Sequence, residues 1–158
     1  MSALAPLLEN YLAGVQTLRQ AVAGMTREQL LARPIAGKWS TLEVVAHLAD
    51  FDPILADRMK RILSHDRPTL LGADENRFAA TLAYHDRDLE EELTIIASTR
   101  SQMARILRAQ KDDVLSRVGI HNERGELTLE RLLIITTNHI PHHVKFIREK
   151  RQALGLSD

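Results

Sequence analysis

The segment NHIPHHVKF, residues 138–146, places His139, His142 and His143 within five positions, nearly half of the seven histidines in the chain. His139 and His143 are four apart, so on a continuous helix their imidazoles share one face, one turn apart. A helix offers two nitrogen ligands to one metal ion at this spacing. His142 is turned about 100° toward the flank of that face. Pro141 has no backbone N–H for the carbonyl of Thr137 and can open the turn enough to bring His142 inward. Periodicity therefore favours His139 and His143, with His142 as the alternative.

A specific site needs a third ligand, and His47 is the candidate. It shares the apolar stripe Val44, Leu48, Phe51, Leu55, Met59 and Ile62 on another helix. Three neutral imidazoles plus an open position form the usual arrangement of a catalytic zinc site, and they suit nickel, iron or copper as well. The competing expectation is three core histidines that only hydrogen-bond. His65, His85 and His121 fall in or beside loops and are expected to face solvent.

Glu43 lies one turn before His47. It either accepts the second ring N–H of His47 or closes a capping box at the helix start. Asp50 is a candidate base or extra ligand, or else a surface acid. Arg100 occupies an apolar position, where it either meets an anionic substrate inside the fold or, the preferred reading, snorkels to solvent. Trp39, the only tryptophan, is expected to anchor the start of the His47 helix in the core.

Four amphipathic helices are predicted to carry these residues. The first bears Leu4, Leu8, Tyr11, Val15, Leu18 and Val22, and stops near Gly24. The second starts at Ser40 or Thr41 and is expected to kink at Pro53. The third runs from about His85 to Gln110, and the fourth follows a Thr128 cap. Between the second and third the pattern weakens, with a short helix over ADENRFAATL, while VGIHNERGEL reads as a turn. The expected fold is an all-α four-helix bundle in a single domain over residues 1–158. The second connection is too long for a tight hairpin, whose loops run about two to eight residues. One long crossover there would make helices two and three parallel, and helix four antiparallel to both.

Composition sets outer limits. The 158 residues are 44% hydrophobic and 27% charged, the balance of a globular domain. Twenty-one basic and twenty-one acidic residues cancel, which argues against a nucleic-acid binder. The first residues lack the basic start of a secretory signal, and no apolar run is long enough for a membrane span, so a cytoplasmic location is the expectation. Cysteine is absent, so any nucleophilic thiol comes from a second molecule.

KWSTLEVVAHLAD, residues 38–50, resembles the W-S-x-x-E-V-x-x-H-L-A segment of the DinB-like superfamily. DENRFAATLAYHDRDLEEEL resembles the stretch that follows in one of its branches, and ERGELTLERLLIITTNHIPHHVKFI its closing helix, E-R-G-x-L-T-L-x-x-L…H-x-x-H-H. The matches run from Trp39 to about Ile147, and Pro141 departs from the pattern. The resemblance implies a four-helix bundle with a divalent metal held by His47, His139 and His143, zinc or nickel foremost and iron as a further option. It also implies a thiol-dependent S-transferase that joins a low-molecular-weight thiol, such as bacillithiol or mycothiol, to a small-molecule electrophile. A metal-dependent hydrolase and a non-catalytic metal-binding stress-response protein are the alternatives. Pairing into a homodimer is expected.

Overall fold

The computed structural model describes residues 3–157. Four long helices dominate: α1 (Leu4–Val22), α3 (Thr41–Ser64), α5 (Leu89–Arg108) and α6 (Leu129–Ala153). Short helices α2 (Arg27–Leu31) and α4 (Glu75–Thr81) lie in the connections. The helix starts are written in side-chain chemistry. Ser40 accepts from the backbone N–H of Glu43, whose carboxylate accepts the N–H of Ser40 in return. Thr26 and Gln29 form a second capping box, and Thr128 accepts from Arg131 N–H at 3.1 Å. Helices α3 and α6 each run continuously through their proline.

The bundle core has two apolar halves. One collects Leu4 and Leu8 from α1, Met59 and Ile62 from α3, Met103 and Leu107 from α5, and Leu129 and Leu132 from α6. The other takes Leu18 and Val22, Val44 and Leu48, Leu93 and Ile96, and Val144 and Ile147. The first half thus holds the starts of α1 and α6 and the ends of α3 and α5. Helices α3 and α5 are therefore parallel, and α6 is antiparallel to both, as the crossover reading requires.

The four-helix bundle is as expected, and among the described residues three short strands accompany it: β1 (Thr69–Leu70), β2 (Val118–His121) and β3 (Gly125–Thr128). Strand β2 pairs antiparallel with β3, His121 opposite Gly125, and parallel with β1, Leu70 opposite His121. The segment read as a turn is thus a hairpin with a three-residue loop. Its closing residue, Gly125 at φ +73°, takes the left-handed conformation that such loops need. The sheet ties the crossover to the base of α6. No helix among the described residues is long and apolar enough to cross a membrane.

Candidate metal centre

His47 projects from the first half of α3, and His139 and His143 from either side of the middle of α6. Because the two helices are antiparallel, these positions meet at one level of the bundle. One ligand nitrogen from each of the three lies within 4.8 Å of the others. Nε2 of His47 is 3.1 Å from Nε2 of His139. A tetrahedral ion at about 2.0–2.1 Å from each nitrogen needs neighbouring nitrogens about 3.3 Å apart, so this spacing is close to what such an ion requires.

The surroundings favour lone pairs over protons. Burial, reinforced by His139, lowers the pKa of His47 to about 4. Burial again, with His143 and Arg100 nearby, lowers that of His139 to about 3, and burial with His47 beside it brings His143 to about 3. All three rings are therefore neutral at neutral pH, the state in which imidazole coordinates a metal. Nδ1 of His47 and Nδ1 of His139 are buried with no hydrogen-bond partner among the described residues. The donor set fits a divalent ion better than it fits a satisfied core. His142 is exposed beside Pro141, which is itself exposed, so the proline does not turn His142 inward.

Two carboxylates singled out in the sequence are engaged elsewhere. Glu43 closes the capping box with Ser40 and pairs with Arg33, which leaves nothing for Nδ1 of His47. Burial opposes its ionisation, but Arg33 and Ser40 outweigh burial and hold its pKa below the usual carboxylate value. Asp50 receives a two-pronged contact from Arg87, at 2.8 and 3.0 Å, which clamps the end of the crossover onto α3. Trp39 is half-buried, and its ring stands 5.4 Å from that of His47.

Glu75 was not singled out by sequence. It begins α4 on the crossover, and its carboxylate stands 3.7 Å from Nε2 of His47. An acid on a seven-residue helix has no partner within reach along the chain, so spacing says nothing of it. The Asp74 cap beside it, which accepts from the N–H groups of Asn76 and Arg77, was the one local signal.

Two expectations are corrected. Arg100 does not snorkel: it and Asp52 are both 0% exposed. Its guanidinium donates to Asp52 at 2.6 and 3.1 Å, to the carbonyl of Tyr11 at 2.7 Å and to that of Thr136 at 2.9 Å. One side chain thus joins all four long helices, one turn of α6 below His139. Snorkelling fails because the stem of Arg100 points between α1, α3 and α6, where an acid and two carbonyls already substitute for water. His121 is also not solvent-facing. It is 4% exposed at the end of β2, where the strand pairing carries it under the crossover.

The parallel central helices, the crossover and the three-histidine cluster define a four-helix metal-binding fold of a particular kind. Residues 11–147 match the sequence profile of the DinB superfamily, and the chain belongs to it. It is 29% identical over 141 residues to a Bacillus subtilis protein named "Putative metal-dependent hydrolase YfiT", covering 89% of this chain and 79% of that one. It is 28% identical to a "Putative metal-dependent hydrolase" of Geobacillus thermodenitrificans, over 87% and 78% of the two chains. The solved structure of YfiT, described as a probable metal-dependent hydrolase with an unusual four-helix bundle topology, superposes with a TM-score of 0.91 at 26% identity. The overlap covers 99% of this chain and 91% of that one.

Proposed function

We propose that the protein is a metal-dependent hydrolase in which His47, His139 and His143 hold the ion and Glu75 is the general base. The Glu75 carboxylate beside the imidazole cluster carries this reading. A divalent ion held there, zinc or nickel by the affinity of imidazole donors, supplies Lewis acidity that lowers the pKa of a water and polarises an electrophile. Glu75 takes the proton of the attacking water as its oxygen forms the new bond to the acyl carbon. It returns that proton to the leaving group as the old bond breaks.

Transfer of a cosubstrate thiol is the second reading, favoured by the absence of cysteine in the chain. The two readings separate on Glu75. A thiol brought to a divalent ion ionises without a base, whereas water at neutral pH benefits from one. Glu75→Gln is expected to retain stoichiometric metal and lose about 10²–10⁴-fold in turnover of an ester and amide panel. If electrophile is consumed only when a thiol is added, and Glu75→Gln is fully active, the hydrolase reading falls and thiol transfer replaces it.

A further inference from the structure

The cleft beside the three histidines is larger than the cluster requires. It encloses about 450 Å³, within the range of small-molecule sites, and follows the groove between α3 and α6 down to the β2–β3 hairpin. His139 and Glu75 line one end, Arg58, His121 and Arg124 the other, with Leu55, Leu132 and Ile135 between them. Arg58 stands three turns beyond His47 on α3, about 16 Å of helix rise.

His121 sets the chemistry of the far end. Its Nδ1 accepts the backbone N–H groups of Glu123 and Arg124, at 3.2 and 3.3 Å. A ring nitrogen that accepts carries no proton, so the neutral ring is protonated at Nε2. That Nε2–H has no protein acceptor among the described residues, and His121 lines the cleft. Arg58 has a buried, unpartnered Nε, gives one guanidinium nitrogen to the carbonyl of Leu71, and makes no salt bridge among the described residues. Arg124 is near enough to repel it, and the nearby acids Glu123 and Asp57 do not pair with it. Glu123 also lines this end, but its carboxylate lies over Gly72. Two guanidinium groups and one imidazole N–H, with no carboxylate among the described residues bridging them, form a donor set suited to an oxyanion.

We propose that this end of the cleft is an anion subsite, and that the substrate is an elongated small molecule bearing a carboxylate or phosphate group remote from its labile bond. The labile bond then lies beside Glu75, which rests on the hydrolase reading above; the anion subsite itself does not.

Calorimetric titration of the protein as purified with succinate, phenyl phosphate and uncharged succinamide tests the subsite. At least one of the two anions is expected to bind while succinamide does not, and which one binds tells carboxylate from phosphate. Arg58→Gln and Arg124→Ala are each expected to weaken that binding at least about tenfold, a loss of about 1.4 kcal/mol. His143→Ala should leave it unchanged, which separates the subsite from an anion held by the metal. Arg124 is exposed, so its variant keeps the test meaningful even if Arg58→Gln folds poorly. Binding of neither anion, equal binding of succinamide, or wild-type affinity in Arg124→Ala overturns the proposal. Turnover of neutral esters by a protein that binds neither anion would overturn the subsite and leave the hydrolase standing. Arginine-dependent anion binding without any hydrolysis would do the reverse.

Discussion

Asp52→Ala is the perturbation that best tests the buried layer beneath the histidines. In the wild type the Arg100 guanidinium is fully enclosed by the two Asp52 oxygens, the carbonyls of Tyr11 and Thr136, and the face of the Tyr11 ring 4.6 Å away. Removing the carboxylate leaves a cation at 0% exposure with only two neutral acceptors. Losing one partner of a buried pair costs about 3–5 kcal/mol, because the remaining charge stays desolvated. A native domain has a total stability of about 5–15 kcal/mol, so the variant loses much of its margin. The melting temperature is expected to fall by about 6–20 °C. Urea unfolding at pH 7, followed by Trp39 fluorescence and far-ultraviolet circular dichroism, measures the loss. The double variant Asp52→Leu with Arg100→Met removes both charges and is expected to recover most of it, since apolar replacement of a buried pair is often neutral or stabilising. A cost below about 1 kcal/mol for Asp52→Ala would mean that the guanidinium reaches water, as an exposed pair does. A double variant as unstable as the single one would assign the loss to a cavity, and the charge argument would fail.

Metal analysis should find a stoichiometric ion in the parent and in the exposed-residue variant His142→Ala, and none in His47→Ala, His139→Ala or His143→Ala; retention in all three inner variants would remove the site. The metal-free protein should lose stability on acidification. Its inner imidazoles have folded pKa values of about 3 to 4, against about 6.5 unfolded, so the unfolded chain binds more protons in between. That stability is present above about pH 6.5 and is lost as pH falls toward the folded values, so the urea midpoint should drop between pH 7.5 and pH 5. An unchanged midpoint would place the rings in water. Gly14→Ala should destabilise, although alanine is the better helix former by about 1 kcal/mol, because its Cβ would stand 2.7 Å from Nη1 of Arg100. A gain in urea midpoint would show that the guanidinium has room to move.

The parts that follow local rules were legible in the sequence. The stripes on α1, α3, α5 and α6 and the Ser40 and Thr128 caps depend on neighbours within a turn. His47, His139 and His143 were placed inward by the same periodicity. Arg100 was misread because its acid, Asp52, is 48 positions away and on another helix. An arginine on an apolar stripe looks the same whether it escapes to water or finds a buried carboxylate. His121 was misread because a four-residue strand bounded by loop residues carries too little pattern to show burial, and its polar nitrogen is satisfied by two N–H groups of its own turn. Glu75 was missed because the fold, and no spacing in the sequence, brings it beside His47.

The order of the helices explains why such a residue is present at all. In a bundle that alternates direction at every step, the second connection joins adjacent ends and can be a few residues long. Here α3 and α5 are parallel, so residues 65–88 must return along the whole bundle to start α5 at the same end as α3. On that path the chain pairs as β1 beside the hairpin, turns past the cleft, and is fixed at its far end by Arg87 on Asp50 and Glu92. The two antiparallel helices that supply the imidazoles leave a groove between them, and the returning segment is the element that covers it. Glu75 and the cleft wall at Gly72 and Asp74 are therefore consequences of the crossover. Shortening this connection should leave the three histidines in register while removing the carboxylate beside them, so metal binding and turnover are separable by topology as well as by substitution.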